Sequence, residues 1–128
     1  VNRVSPYFNF AGQCGPAMTA YQEWLGGELM LIRIGDSPAA EGYGGSPDDI
    51  YHATLTAPNF TLMGSDMNPV AQPASIVASA SDLPELDRLY ALAREGGEVH
   101  CALAPAPWGG HYAQVTDRFG TAWHLTCD

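Results

Sequence analysis

Hydrophobic and polar residues alternate along several short stretches of the chain. In residues 3–10, Phe8 and Phe10 fall on one side while Tyr7 and Asn9 fall on the other, which is the two-residue period of a half-buried strand. Apolar or alternating stretches of similar length predict further strands at residues 28–34, 50–56, 60–65, 74–80, 98–103, 111–116 and 121–127. The chain is therefore predicted to be rich in short strands.

Two other stretches carry apolar residues at three- and four-residue spacing, the period of a helix that packs against a core. In the first, which starts at Pro16, the residues Tyr21, Trp24 and Leu25 recur at this spacing until a pair of glycines ends the helix. The second begins after Asp82, a residue type whose side chain caps helix N-termini, and it also ends at two glycines. These patterns predict one helix in each half of the chain.

The predicted elements follow the order strand, helix, strand, strand, strand, and this order occurs twice. The sequence GGEL at residues 26–29, at the end of the first helix, recurs as GGEV at residues 96–99. A match that keeps the phase of the elements indicates an internal duplication. The predicted fold is α+β, a single domain over residues 1–128 in which two tandem βαβββ modules, about 1–67 and about 74–128, form one curved mixed sheet around a cleft.

The chain is strongly acidic. Its 128 residues include 14 Asp or Glu against 5 Arg and no Lys, which gives a net charge of −9. A surface of this sign repels phosphate backbones and anionic lipid headgroups. No apolar run approaches the roughly 20 residues that a membrane-spanning helix needs. We therefore expect neither nucleic acid nor a membrane as a partner.

Three cysteines, Cys14, Cys101 and Cys127, are separated by long and unequal gaps. An odd number at such spacing fits neither a disulfide framework nor the paired cysteines of a zinc site. The first residues also lack the charged and apolar regions of a signal peptide. These features predict free thiols and a cytoplasmic location.

A set of short segments stands out by its order and spacing: residues 6–10 (PYFNF), 17–27, 52–55 (HATL), 60–66, 108–110 (WGG) and 117–120 (DRFG), with Trp123. Together these segments extend over nearly the whole chain. In this arrangement the sequence resembles the vicinal oxygen chelate superfamily, which includes glyoxalase, bleomycin-resistance and extradiol dioxygenase proteins, and within it the PhnB-like branch. The resemblance implies paired βαβββ modules, a homodimer and a small-molecule cavity enclosed by the curved sheet.

Metal-dependent members of this superfamily place His, Gln or Glu ligands on the first and last strand of each module. The positions that correspond here hold Ser5 or Tyr7, Thr61 or Met63, Ser75 and His124. Only His124 is a good ligand for a divalent ion, and one imidazole does not hold such an ion tightly. We therefore expect no metal cofactor; the alternative is a divalent site that His124 builds together with His52.

Five residues are predicted to line the cleft and bind a ligand: Tyr7, His52, Met63, Trp108 and His124. His124 acts as a general base, anchors a ligand by a hydrogen bond, or only lines a wet cavity. His52 either faces the cleft or is a buried histidine satisfied by a neighbour. Trp108 either forms a flat wall over a ligand or covers the core or a dimer contact. Asp66 is predicted instead to close the turn after its strand.

The expected cleft favours a protein that binds a small apolar or aromatic molecule without metal. One alternative is an enzyme, either a divalent-metal-dependent lyase, isomerase or dioxygenase with an altered ligand set, or a metal-free catalyst that uses His124 as base. Another is a structural or regulatory dimer whose cleft is filled by Met63 and Trp108. Whether the protein is an enzyme stays open at this level.

Overall fold

A computed structural model describes residues 5–68 and 74–128 of the chain. Contacts divide the chain between residues 72 and 73 into two compact units, which we call the first and the second unit. Each unit has one helix and four strands in the order strand, helix, strand, strand, strand. The predicted α+β class and tandem βαβββ modules are confirmed, and the described strands pair as two four-stranded mixed sheets, one in each unit.

The first unit contains, in chain order, β1 (Tyr7–Asn9), α1 (Cys14–Leu25), β2 (Glu28–Arg33), a short 3-10 helix (Ile34–Asp36), β3 (Ile50–Ala57) and β4 (Phe60–Ser65). Its strands lie in the order β1, β4, β3, β2. β1 runs parallel to β4, whereas the other neighbours are antiparallel. β3 and β4 therefore form the centre of the sheet.

The core of the first unit lies between α1 and one face of its sheet. Leu55 of β3 is fully buried there, as are Met18 and Tyr21 of α1. Gly27 joins α1 to β2 with a φ of +103°, and a Cβ at this position would lie 2.8 Å from the carbonyl oxygen of Thr56. Both the left-handed backbone and the close approach of the chain require glycine here.

Asp66 directly follows β4, and its side chain is buried. Its Oδ1 accepts hydrogen bonds from the backbone N–H groups of Gly12 and Cys14, and its Oδ2 accepts one from the N–H of Ile50. The residue before α1 makes no side-chain cap. α1 begins at Cys14 rather than at the predicted Pro16 because this carboxylate satisfies the N–H groups at the start of the helix. Asp66 thereby joins α1, β3 and β4.

The connection from the 3-10 helix to β3 is long, and it is closed by hydrogen bonds. The N–H groups of Ile34 and Gly35 donate to the carbonyl oxygens of Asp49 and Pro47 at 2.8 and 2.9 Å. The Tyr43 hydroxyl donates to Oδ2 of Asp49 at 2.7 Å. This hydrogen bond, more than burial or the carboxylate charges, raises the pKa of Tyr43 to about 12.

The second unit contains β5 (Ala74–Ser79), α2 (Leu83–Arg94), β6 (Glu98–Pro105), β7 (His111–Thr116) and β8 (Thr121–Cys127), and its strand order is β5, β8, β7, β6. Asp82 accepts a hydrogen bond from the N–H of Glu85 at 2.9 Å, so the predicted helix cap is confirmed. No helix in the described part of the chain is long and apolar enough to cross a membrane.

In the second unit, α2 packs on β7 and β8. Trp123 and Leu125 of β8 are almost completely buried. The Nε1–H of Trp123 donates to Oδ2 of Asp117 at 2.8 Å, and Oδ1 of the same buried carboxylate accepts hydrogen bonds from the N–H groups of Phe119 and Thr121. One carboxylate therefore fixes both the turn from β7 to β8 and the central tryptophan of the core.

Candidate functional site

One face of each sheet carries the helix of its unit, and we call the opposite face the helix-free face. In the first unit, Tyr7 of β1 lies beside Met63 of β4, which in turn lies beside Thr54 of β3. His52 stands two residues before Thr54 and so shares its face. Leu62, next to Met63, points to the opposite side and is buried. Three of the predicted site residues therefore share the helix-free face of the first unit.

His52 is held at both ring nitrogens on this face. The Tyr7 hydroxyl lies 3.4 Å from Nδ1, and the two rings are 5.8 Å apart between centroids. The Thr54 hydroxyl lies 3.0 Å from Nε2. The two alternatives predicted for His52 were a cleft-facing side chain and a side chain satisfied by neighbours. The imidazole has features of both, because it lies on the helix-free face and is already hydrogen-bonded there.

In the second unit, the alternation of buried residues in β8 places His124 on the helix-free face, because Trp123 and Leu125 on either side of it are buried. The Tyr112 hydroxyl lies 2.7 Å from Nδ1 of His124. The edge of Trp108 meets the Tyr112 ring with centroids 5.5 Å apart, and Trp108 is 72% exposed. Tyr112 therefore connects Trp108 to His124, the two predicted site residues of the second unit.

Tyr112 was missed as a site residue, and so was its neighbour Gln114. Gln114 lies beside His124 in the register of β7 and β8, and its Oε1 is 3.5 Å from the Tyr112 hydroxyl. A signal for both is present in the sequence, because Ala113 and Val115 alternate with them as small and apolar residues. That alternation assigns Tyr112 and Gln114 to the face shared with His124.

Each unit thus carries one pair of a tyrosine hydroxyl and a histidine Nδ1 on its helix-free face. The two pairs differ in strength, since the contact is 3.4 Å for Tyr7 with His52 and 2.7 Å for Tyr112 with His124. They also differ in what surrounds the second ring nitrogen: His52 has the Thr54 hydroxyl at Nε2. Nε2 of His124 makes no hydrogen bond to a residue of the described ranges.

Two shallow depressions of about 320 Å³ each lie on the first unit. One is lined by Glu28, Leu29, Met30, Thr54 and Thr56, and the other by Ser5 and residues 56–61 around the turn from β3 to β4. Neither is lined by Tyr7, His52 or Met63. Thr54 lines the first depression, and its hydroxyl also contacts Nε2 of His52.

The donor set for a metal ion is poor in each unit. The described residues contain no group of three or more His, Cys, Asp and Glu side chains placed to hold an ion. Around His124 the polar neighbours are the Tyr112 hydroxyl and the Gln114 amide, and the partner of His124 on β5 is Val77. Neutral hydroxyl and amide groups are weak ligands for divalent transition metals. These residues therefore do not fit the metal site that the superfamily resemblance implies.

No family model matches the sequence, but comparison with individual known proteins identifies relatives of the chain. YjdN of Escherichia coli K12 is 30% identical, in an alignment covering 95% of this chain and 92% of YjdN. The crystal structure of PA1353 from Pseudomonas aeruginosa is 34% identical and has a TM-score of 0.89, with 100% of this chain and 98% of PA1353 covered.

More distant structures share the fold. A PhnB protein from Bacillus cereus is 19% identical with a TM-score of 0.76, and the match covers 99% of this chain and 100% of that protein. Glyoxalase and bleomycin-resistance proteins have the same architecture at still lower identity. The chain therefore belongs to the family of YjdN, and it has the fold of PhnB, glyoxalase and bleomycin-resistance proteins.

Proposed function

We propose that this protein binds a small apolar or aromatic molecule without a metal ion, on the helix-free face of the second unit. The observation that carries the proposal is the exposed indole of Trp108 beside the Tyr112 and His124 pair. Val77, the partner of His124 on β5, adds a second exposed apolar side chain at 68% exposure. Exposed apolar groups grouped around a few polar atoms are the composition of a small-molecule site.

The energetics favour a flat apolar ligand. Covering a large exposed side chain such as Trp108 contributes about 2 kcal/mol, and stacking or edge contacts between rings add to this. His124 and Tyr112 supply the polar atoms that orient the ligand. A protein with a net charge of −9 disfavours phosphorylated ligands, so the proposed ligand is neutral or cationic.

The helix-free face of the first unit supplies the remaining candidate contacts: Tyr7, His52 and Met63. His52 is engaged at both nitrogens, so its proposed role is to position Tyr7 and Thr54 rather than to bind ligand through its own ring. Met63 offers an adaptable apolar side chain on the same face.

Intrinsic fluorescence tests the proposal directly. Trp24 and Trp123 are buried at 4% and 1% exposure, so Trp108 dominates the response of the protein to a quencher in solution. We expect neutral bicyclic aromatics such as tetralin and 1-tetralone to change the Trp108 emission and to raise the melting temperature. Trp108→Ala should abolish both effects. Tyr90→Ala, which removes an aromatic residue from α2, should leave them unchanged.

Metal analysis decides between the proposal and its main alternative. Protein purified without metal resin and without chelator should contain a divalent metal far below one ion per chain. A near-stoichiometric divalent metal would overturn the metal-free proposal and favour a metal-dependent lyase, isomerase or dioxygenase. In that case His124→Ala should release the metal.

We also propose that the protein works as a homodimer in the cytoplasm. The three cysteines are unpaired thiols, which suits a reducing compartment. Light scattering coupled to size exclusion should give twice the chain mass of 13.6 kDa. A single-chain mass at micromolar concentration would contradict the dimer and leave the ligand proposal standing.

A further inference from the structure

We propose that Tyr112 holds His124 in the tautomer that carries its proton on Nε2, and that the site therefore selects neutral aromatic ligands bearing an acceptor oxygen, such as a ketone. Tyr112 is then a positioning residue, because it acts on the ligand through His124. This inference rests on the proposed function and deepens it by naming the class of ligand.

The single proton of the Tyr112 hydroxyl has two acceptors within reach, Nδ1 of His124 at 2.7 Å and Oε1 of Gln114 at 3.5 Å. A distance of 2.7 Å is that of a good hydrogen bond, whereas 3.5 Å is at the outer limit. A phenol is a stronger hydrogen-bond donor than an imidazole N–H, and an imidazole nitrogen is a stronger acceptor than a phenol oxygen. We therefore assign the proton of the 2.7 Å contact to the Tyr112 hydroxyl, which donates to Nδ1. A neutral imidazole that accepts at Nδ1 carries its hydrogen on Nε2.

Nε2 of His124 makes no hydrogen bond to a described residue, so this N–H is available to a ligand. His52 offers no equivalent donor, because the Thr54 hydroxyl lies 3.0 Å from its Nε2. Of these two tyrosine-bound histidines, His124 is the one that presents a donor to the helix-free face.

The charge of this face follows from the strand positions that share it by alternation and register. They are Ser75, Val77, Ser79, Glu98, Cys101, Ala104, Tyr112, Gln114, Thr116, Ala122, His124 and Thr126. These positions include one carboxylate, Glu98, and no arginine. His100 reaches the same face and meets the Thr116 hydroxyl at 2.8 Å. A carboxylate or phosphate on the ligand would find no arginine among these strand positions and would meet the like charge of Glu98, so the acceptor that fits is a neutral oxygen.

Tyr112 links the donor of His124 to the aromatic surface of Trp108, because its ring lies beside Trp108 on one side and His124 on the other. A ligand whose ring lies against Trp108 and whose oxygen is attached to that ring can use both contacts. The apolar contact supplies affinity, and the Nε2–H supplies the preference for an oxygen over a methylene group.

A matched ligand pair tests the preference. 1-Tetralone and tetralin share the bicyclic skeleton and differ by one carbonyl in place of a methylene. We expect 1-tetralone to bind about 5-fold more tightly in a calorimetric or fluorescence titration, the size of one net hydrogen bond. His124→Ala should remove this difference and leave both ligands bound, because Trp108 is retained.

The tautomer is tested without any ligand. Long-range ¹H–¹⁵N NMR correlations distinguish the two neutral forms of a histidine, and neutral His124 should show a protonated Nε2. Tyr112→Phe should turn this into a mixture of tautomers and reduce the preference for 1-tetralone to less than 2-fold. Tyr90→Phe removes a tyrosine hydroxyl from α2, outside the proposed site, and should alter neither result.

The outcomes separate the two proposals. Equal binding of 1-tetralone and tetralin to the wild-type protein overturns the acceptor preference and leaves the proposed aromatic site in place. A protonated Nδ1 in His124, or a tautomer that Tyr112→Phe does not change, overturns the role of Tyr112. Failure of both compounds to bind overturns the proposed function itself, and the ligand preference with it.

Discussion

Tyr112 and His124 meet diagonally across the antiparallel strands β7 and β8. In the register Tyr112 stands opposite Thr126 and His124 opposite Gln114, yet the Tyr112 hydroxyl lies 2.7 Å from Nδ1 of His124. Diagonal neighbours in such a ladder are roughly 7 to 8 Å apart, so a side chain as long as tyrosine is needed to make the contact. The tyrosine–histidine contact of the first unit runs from Tyr7 of β1 across β4 to His52 of β3, and it is longer at 3.4 Å.

Removal of these two hydroxyl groups should therefore have unequal effects on stability. We expect Tyr112→Phe to lower the free energy of unfolding by about 1 kcal/mol, and Tyr7→Phe to lower it by only a few tenths, because a long hydrogen bond on an exposed side chain contributes little. Urea denaturation of the two variants measures the difference. Equal losses would contradict the ranking of the two contacts.

Asp66→Ala should strongly destabilise the first unit. The carboxylate accepts three backbone hydrogen bonds, from Gly12, Cys14 and Ile50, and its removal leaves those N–H groups without their acceptor. We expect a loss of about 3 kcal/mol or more, measured by urea or thermal unfolding. Asp48→Ala is the matched control, since that side chain is 80% exposed and makes one ion pair with Arg33. It should cost no more than about 0.5 kcal/mol.

The three thiols should differ in reactivity. Burial, with a smaller contribution from the Asp66 carboxylate, raises the pKa of Cys14 far above its ordinary value near 9. Cys127 is also buried, whereas Cys101 is exposed. Ellman's reagent at pH 8 should therefore modify one thiol rapidly in the native protein and three after denaturation. Cys101→Ser should remove the rapid phase; its persistence would show that a buried thiol is accessible.

The raised pKa of Cys14 also makes the free energy of unfolding depend on pH. The folded state keeps this proton, whereas the unfolded thiol loses it near pH 9. Stability from this group is therefore complete below pH 9 and falls as the pH rises above it. Cys14→Ala should reduce the slope of stability against pH between 9 and 10, because the ionising group is gone.

Tyr43 should lose its proton at a higher pH than an ordinary tyrosine in an alkaline titration. Its hydrogen bond to Asp49 raises the pKa to about 12 from an ordinary value of 10. Absorbance at 295 nm should show a component near pH 12 that disappears in Tyr43→Phe. Asp49→Asn, which keeps a hydrogen-bond acceptor but removes the charge, should move this component toward pH 10. The folded form holds the Tyr43 proton, so stability from this contact is lost as the pH rises from 10 to 12.

Much of the fold could be predicted from local periodicity. β4, β7 and β8 have the predicted bounds because one face of each is buried, which imposes a two-residue alternation on the sequence. β6 extends to Pro105, two residues beyond the predicted end at residue 103, and it pairs with β7 through two irregularities in register. An edge strand whose residues are mostly exposed carries little alternation from which its end could be predicted.

The features that could not be predicted from the sequence depend on contacts between residues that are far apart along the chain. The start of α1 was predicted two residues too late because the group that caps it, Asp66, lies 52 positions beyond Cys14. The faces of His52 and His124 followed from alternation. Their hydrogen bonds to Tyr7 and Tyr112 depend on strand register, which the pattern of apolar residues does not determine to the nearest pair. The roles of Tyr7, His52, Met63, Trp108 and His124 in binding stay predictions.

The long separation between Asp66 and the helix that it caps has a consequence for synthesis of the protein. A nascent chain that has emerged only to residue 60 contains all of α1 and the strands β1, β2 and β3, but neither the acceptor for the N–H groups of Gly12 and Cys14 nor the strand that pairs with β1. The first unit therefore becomes complete only when β4 and Asp66 leave the ribosome. Its folding is expected as one late cooperative step rather than as growth from the N-terminus.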